Sequence, residues 1–260
     1  MAERRIAIGV DVGGSAIKAG AVDVEAGRLL GERIKVPTPN PSTPGAVVET
    51  IHGLVKQLAK AAGTAARVGV GIPCVVIDGV SWTAANIDKG WIGFDAQAAL
   101  RKSIGRSVTV LNDADAAGIA EMRFGAGRGR SGVVLILTLG TGVGSALFVD
   151  GRLVPNTELG HMEIRGRDAE KRSAAVARVR DGESWKAWAR DLDEHLMAID
   201  RILWPSLVIL GGGVSRKSSQ FVPLLTLRPP VVPADLLNDA GMVGAAMAAV
   251  ERKTPGGAAA

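Results

Sequence analysis

Asn112, Asp113 and Asp115 close the apolar run Val108-Thr109-Val110-Leu111. A carboxylate where a strand gives way to a helix is placed to take a proton from a bound ligand. The same residue types also cap helix N-termini, and the local sequence leaves both roles open. A second group lies in N-T-E-L-G-H-M-E-I-R-G-R-D-A-E, where Glu158, His161 and Glu170 supply oxygen and ring-nitrogen partners for vicinal hydroxyls. A lone histidine also serves structural ends, and both roles stand for His161. The spacing is not H-E-x-x-H and no cysteine is near, so the pattern itself does not point to a metal site. Asn86, between Trp82 and Trp91, has an amide that can donate and accept, which suits either a hydroxyl ligand or a turn.

The segment D-V-G-G-S-A-I-K-A-G, Asp11 to Gly20, combines adjacent glycines, a hydroxyl and a lysine, and points to a bound anion. It is not a Walker A loop, because G-x-x-x-x-G-K-[ST] occurs nowhere in the chain. Nor is it a Rossmann turn, since Ile17 to Val24 carries no helical stripe. A second copy, T-L-G-T-G-V-G-S-A-L-F-V-D, runs from Thr138 to Asp150 at a constant offset, Asp11 aligning with Thr138 and Asp23 with Asp150. Each copy follows an apolar run, turns on small residues, continues as a second apolar run and turns again through Gly-Arg-Leu (27–29 and 151–153). Glycines in such turns permit positive φ and let backbone N–H groups approach an anion. Gly13, Gly14, Ser15 and Lys18 in one copy, and Gly140, Thr141 and Gly142 in the other, are therefore expected phosphate contacts.

A repeat placed near the middle of a chain predicts two similar lobes with a cleft between them. Between the repeats the pattern is mixed α/β. Thr43, Pro44 and Gly63 mark the cap, first turn and stop of one helix. R-V-G-V-G-I-P, S-V-T-V-L-N and S-L-V-I-L-G-G-G read as buried strands. Trp185, Trp188, Leu192, Leu196, Ile199 and Leu203 form one helical stripe, suited to a core or to a dimer interface. The expected organisation is a smaller lobe over 1–111, rejoined by a helix at about 243–253, a larger lobe over 112–242, and a frayed tail at 254–260.

The 260 residues are 47% hydrophobic and 22% charged, with a single cysteine, Cys74, so an intrachain disulfide is excluded. With no long apolar stretch and no signal-like N-terminus, a cytoplasmic location and no membrane partner are expected. The net charge of +5 favours a polyanionic partner. Five Trp, four Phe and no Tyr, without aromatic-basic interleaving, argue against nucleic acid. Arg123, Arg128 and Arg130, with the six basic residues Arg165, Arg167, Lys171, Arg172, Arg178 and Arg180, are a candidate track for a phosphate chain.

Taken together, D-V-G-G-S-A-I-K, A-A-N-I-D-K-G-W-I-G, V-L-N-D-A-D-A-A-G, L-T-L-G-T-G-V-G-S, N-T-E-L-G-H, D-A-E-K-R and L-G-G-G-V-S resemble the ROK sugar kinases along essentially the whole chain. Within them, the likeness is to bacterial polyphosphate glucokinases. The resemblance implies the two-lobed actin-like, ribonuclease-H-type fold. It also implies transfer of a terminal phosphoryl group from inorganic polyphosphate, and from ATP, to the 6-hydroxyl of glucose, with mannose a further acceptor. A strictly ATP-dependent glucokinase and a non-catalytic sugar sensor are the alternatives. The resemblance makes Asp113 the catalytic base, and Asn86, Asn112, Asp113, Glu158, His161 and Glu170 sugar ligands. Gly13, Gly14 and Ser15, with Gly140, Thr141 and Gly142, become phosphate motifs, and Gly211, Gly212 and Gly213 the nucleotide or phosphate-chain side. Asp11 is expected to orient Mg²⁺ through water, and a homodimer is implied. Many members carry a cysteine-rich zinc segment after E-L-G-H; here only its closing glutamate, Glu170, remains, and no zinc is expected.

Overall fold

The computed structural model describes residues 5–251; the tail at 254–260 and the end of the expected 243–253 helix lie outside the described residues. The chain divides into two compact units, one running through Ala116 and resuming from Gly241, the other Ala117–Ala240.

The first unit holds strands β1 (Ile6–Val12), β2 (Ala16–Asp23), β3 (Arg28–Leu29), β4 (Ile34–Pro37) and β5 (Val68–Ile72). Three short strands follow, β6 (Val76–Ile77), β7 (Val80–Ser81) and β8 (Phe94–Asp95), and then β9 (Val108–Asn112). Its sheet runs β3-β2-β1-β5-β9, with β4 also on β2, while β6-β7-β8 form a small separate sheet. Helix α1 (Pro44–Ala62) begins and ends where its punctuation requires: Thr43 Oγ1 accepts from the Ala46 N–H, and the Gly63 N–H closes on Ala59. Helices α2 (Ala96–Ile104) and α3 (Asp113–Phe124) complete the run to the second unit.

The second unit holds β10 (Val133–Leu139), β11 (Val143–Val149), β12 (Arg152–Val154), β13 (Glu163–Ile164), β14 (Arg167–Asp168), β15 (Leu207–Gly211) and β16 (Val231–Pro233). Its helices are α4 (Glu170–Ser173), α5 (Ala175–Arg180) and α6 (Trp185–Leu203), and α7 (Ala240–Glu251) returns to the first unit. The main sheet runs β12-β11-β10-β15-β16. In both units an antiparallel hairpin (β1-β2, β10-β11) is extended by two parallel strands (β5-β9, β15-β16). The sequence repeat is thus a repeat of sheet topology, the ribonuclease-H-type arrangement of actin-like kinases.

The repeat is not perfect in register. Val12 pairs with Ile17, but its counterpart Leu139 pairs with Val143, so the second hairpin is one residue tighter. Because strand side chains alternate faces, the slip changes which residues oppose one another. Asp11 faces Lys18 across the first hairpin, whereas Thr138 faces Gly144 across the second.

The tryptophan stripe is core. Trp188, Leu192, Leu196 and Ile199 are fully buried and pack with Leu135, Leu137, Leu210 and Phe221 in the second unit. Burial of each such side chain contributes about 1.5–3 kcal/mol relative to exposure. That face is therefore not available for a dimer interface, which corrects the alternative read from the stripe. Among the described residues, no helix is long and apolar enough to cross a membrane.

Candidate functional site

In the first unit the groups with chemical potential collect at the C-terminal ends of the parallel strands, the usual ligand edge of such sheets. Asp11 on β1 is in register with Gly71 on β5, and Gly71 with Leu111 on β9. Two strand spacings separate Asp11 from Leu111, about 10 Å. Asp113 starts α3, where the helix's partial positive charge favours a carboxylate. A Cβ on Gly71 would lie 3.2 Å from the Asp113 Cα, so the small residue allows the helix start to sit on the sheet edge. The Asp113 carboxylate accepts from the Ala114 N–H at 2.8 Å and is half-buried.

Asn112 is a cap. Its Oδ1 accepts from the N–H groups of Ala114 and Asp115 at 2.8 and 3.0 Å, and its Nδ2 donates to the Cys74 carbonyl at 3.2 Å. At 5% exposure it anchors the start of α3, and its carbonyl oxygen is already committed. The cap role, one of the two that the sequence leaves open, is thus made by Asn112. Asn86 is exposed in the loop between β7 and the turn Lys89–Trp91, where Lys89 donates to the Ala84 carbonyl and Asp88 caps the turn.

The first glycine hairpin is held by Thr38. Its hydroxyl donates to the Gly13 carbonyl at 2.6 Å, and its N–H donates to the Ser15 carbonyl at 3.2 Å. Gly14 and Ser15 are exposed at the tip. Lys18, expected at an anion, instead reaches Asp11 at 2.8 Å. The lysine proposed for phosphate and the aspartate proposed for metal-bound water thus meet in one ion pair. Positive φ is not the reason for glycine at Gly13 or Gly140, neither of which has it. Gly140 and Thr141 are exposed, and small size leaves the backbone accessible there.

In the second unit the E-L-G-H segment and the second hairpin are built as one piece. The turn Leu159–His161 packs so closely on β11 that a Cβ on Gly160 would lie 2.2 Å from the Val143 carbonyl oxygen. Glu170, 5% exposed, accepts from the Val143 N–H at 3.0 Å. Ser145 Oγ accepts from the Leu159 N–H at 3.0 Å and donates to the Thr157 carbonyl at 2.6 Å. The Val176 N–H donates to the Gly140 carbonyl at 3.1 Å. Glu158, His161 and Glu170 are thereby fixed beside the tip that carries Thr141.

Two further residues, not singled out from the sequence, support this group. Where the zinc segment of relatives would stand, β13 and β14 form a short hairpin turning on Arg165 and Gly166, both at positive φ. It returns Asp168 to His161, Nδ1 to Oδ2 3.1 Å, while His161 Nε2 lies 3.6 Å from Glu158. One donor atom each from His161, Asp168 and Glu170 lies within 4.8 Å of the others, a set of one nitrogen and two carboxylates that could accept a divalent ion. The second residue, His195, is buried on α6 and bridges Ser173 (Nδ1, 2.9 Å) and the Leu159 carbonyl (Nε2, 2.9 Å). Nε2 must carry the proton it donates to Leu159.

Burial pushes the Glu158 carboxyl above its usual range; His161 opposes the rise and Glu170 adds to it. Burial pushes the His195 imidazole down, with the Leu159 carbonyl partly offsetting this. Above the ordinary value of 6.5 both folded and unfolded His195 are neutral. Below it the unfolded chain takes up a proton that the folded chain resists, so stability falls as pH drops through that value. His195→Gln, which keeps a donor for Leu159, is expected to shrink the melting-temperature difference between neutral and mildly acidic buffer. An unchanged difference in calorimetric scans would remove His195 as its source.

The ROK family profile matches residues 7–175. This chain belongs to the ROK family. It is 49% identical over 252 residues to a polyphosphate glucokinase of Mycobacterium tuberculosis strain H37Rv, spanning 96% of this chain and 94% of that one. It is 48% identical over 246 residues to the polyphosphate glucokinase of Mycobacterium leprae, spanning 94% and 75%. Among solved structures it resembles the inorganic polyphosphate/ATP-glucomannokinase of Arthrobacter sp. strain KM, with TM-score 0.92, 49% identity, and 94% and 98% of the two chains covered. It also resembles a ROK family glucokinase from Streptomyces griseus in complex with glucose and AMPPNP, with TM-score 0.82, 27% identity, and 95% and 100% covered. The cysteine-free segment after E-L-G-H is thus, in this ROK chain, a short hairpin that braces His161 through Asp168.

Proposed function

We propose that this ROK chain is a phosphotransferase moving a terminal phosphoryl group from inorganic polyphosphate, and from ATP, to the 6-hydroxyl of glucose. The observation that carries this is the joint construction of Glu158, His161 and Glu170 with the second glycine hairpin through Val143. Residues suited to hydroxyl groups and a backbone suited to phosphate are held to each other by contacts one residue long.

Asp113 accepts the 6-hydroxyl proton as that oxygen bonds to the terminal phosphorus. The bond from this phosphorus to the rest of the donor breaks, leaving a chain one phosphate shorter, or ADP. In a loose transition state the proton moves late, so aiming the hydroxyl matters as much as basicity. Glu158, His161, Glu170 and Asn86 bind the other hydroxyls, so that a single one is presented. Asn112 acts by fixing the helix that carries Asp113. Ser15 and Thr141 hydroxyls and the N–H groups of Gly13, Gly14, Gly140 and Gly142 hold the phosphates, and Lys18 acts through its pair with Asp11. Gly211, Gly212 and Gly213 serve the distal side of the donor.

The reaction uses a divalent metal, which we assign as Mg²⁺, entering with the phosphates. Asp11 fits an outer-sphere role, because Lys18 takes Oδ2 and leaves Oδ1 for a metal-bound water. When bound, the ion neutralises charge on the transferring group.

The chain has a single cysteine, the buried Cys74, so it makes no intrachain disulfide; this fits a reducing compartment, and the cytoplasm is the proposed location. A homodimer is the proposed assembly, and mannose is the next acceptor to test. Purified chain, glucose and Mg²⁺ with long-chain polyphosphate or ATP in parallel provide the test. Glucose 6-phosphate is expected from both donors. Product from ATP alone would establish the strictly ATP-dependent alternative, and product from neither would reject the kinase.

A further inference from the structure

We propose that Arg216 and Lys217 bind the part of the polyphosphate chain beyond the phosphates next to the transferred one, and so set the preference for a long inorganic chain over a nucleotide. This rests on the functional reading above and goes further, locating a subsite for the donor's tail.

The structure redistributes the basic residues. Of the six in 165–180, Arg165 pairs with Glu194, Lys171 with Glu170, Arg172 with Asp191 and Glu194, and Arg180 with Asp181, while Arg167, exposed on β14, stands alone without a carboxylate partner among the described residues. Arg178 lies 4.0 Å over the Trp185 ring. An arginine already matched to a carboxylate offers little net charge to a passing polyanion. Arg128 and Arg130 precede Val133, whereas the phosphate hairpin turns at Gly140. The seven residues of β10 separate them, about 20 Å of strand. These groups do not make a continuous track.

Arg216 and Lys217 differ from the paired residues in charge left unmatched, and from Arg128 and Arg130 in starting beside the hairpin; unlike the lone Arg167, they are two adjacent cations. They are exposed, and among the described residues no carboxylate pairs with either. They also start beside the hairpin. Gly211 pairs with Thr138, and the following turn is pressed onto the end of β10, where a Cβ on Gly212 would lie 2.3 Å from the Leu139 carbonyl oxygen. Gly212 has φ 83°, a second reason for glycine. The chain then runs as two 3₁₀ pieces within Gly213–Gln220, joined by a kink at Lys217 (φ −109°, ψ 19°), and Arg216 stands about 8 Å along the first from Gly212.

The segment is fixed at both ends. Buried Ser215 donates to the Gly212 carbonyl at 2.8 Å. Phe221, fully buried, stacks on Trp185 at 5.9 Å and meets Trp188 edge-on at 5.0 Å. Two unneutralised cations are therefore held on an arm that leaves the hairpin and is anchored at both ends, which limits the ordering cost of binding a flexible chain. A nucleoside triphosphate ends its charge early; polyphosphate continues.

The test compares wild type with Arg216→Gln/Lys217→Gln, measuring KM for long-chain polyphosphate, tripolyphosphate and ATP at several salt concentrations. The double variant is expected to raise KM for the long chain by about tenfold and to flatten its salt dependence, as loss of phosphate contacts does for other polyanions. KM for ATP and tripolyphosphate should change less than about twofold, with kcat retained. The charge-conserving Arg216→Lys/Lys217→Arg should restore the long-chain KM. Lys102→Gln/Arg201→Gln, both exposed, removes the same charge elsewhere and should change nothing. An unchanged long-chain KM, or an equal loss with ATP, would overturn the subsite while leaving the kinase intact. Wild type inactive with polyphosphate would instead overturn the functional reading, and the subsite with it.

Discussion

Asp113→Asn is expected to fold and to lose about 10²- to 10⁴-fold in kcat with either donor, the range associated with removing a general base. The substitution isolates proton acceptance from structure. An asparagine Oδ1 can still accept from the Ala114 N–H, which Asp113 receives at 2.8 Å. Asn112 still caps α3 and still holds Cys74. Loss of the negative charge from the helix start costs about 0.3–1 kcal/mol, too little to unfold the chain. KM for glucose should move much less than kcat, because the amide remains a hydroxyl partner. Turnover within about tenfold of wild type, with an unchanged melting curve, would show that Asp113 is not the base.

The features read without coordinates are those whose causes are local. Thr43, Pro44 and Gly63 bound α1 because capping and φ restriction act within one turn. The paired hairpins were visible because small residues must interrupt two apolar strands at a sharp turn. What remained hidden depends on partners far along the chain. Arg172 is matched by Asp191 and Glu194 on α6, so composition alone overstated the free charge of 165–180. Asp168 reaches His161 only because Arg165 and Gly166 adopt left-handed backbone, and R-G-R-D gives that signal only once a hairpin is suspected. The one-residue register slip between the repeats is invisible to an alignment with constant offset. Of the two reasons the sequence offers for glycine, backbone access remains at Gly13 and Gly140, which lack positive φ, whereas at Gly160 and Gly212 the reason is the close backbone of a neighbouring strand.

Gly160→Ala therefore tests how the sugar and phosphate groups depend on each other. The added Cβ would lie 2.2 Å from the Val143 carbonyl oxygen and 3.1 Å from the Val143 Cβ, contacts that no rotamer relieves. Either the Leu159–His161 turn retreats or the start of β11 does. Retreat of the turn loosens the Leu159 N–H from Ser145 and the Leu159 carbonyl from His195, displacing Glu158 and His161. Retreat of β11 pulls the Val143 N–H from Glu170, and the hairpin tip at Thr141 moves with it. Overpacking of this kind costs about 1–3 kcal/mol, which a protein of this size survives. A displacement near 1 Å at reacting groups can cost about 100-fold in rate. The variant should thus remain folded, with kcat/KM for glucose down by about 100-fold and KM raised for both glucose and the phosphoryl donor. A rise confined to glucose would mean that the turn alone yields and the two groups are separable. Wild-type kinetics in a folded variant would show that the close packing of Gly160 on Val143 has no part in catalysis.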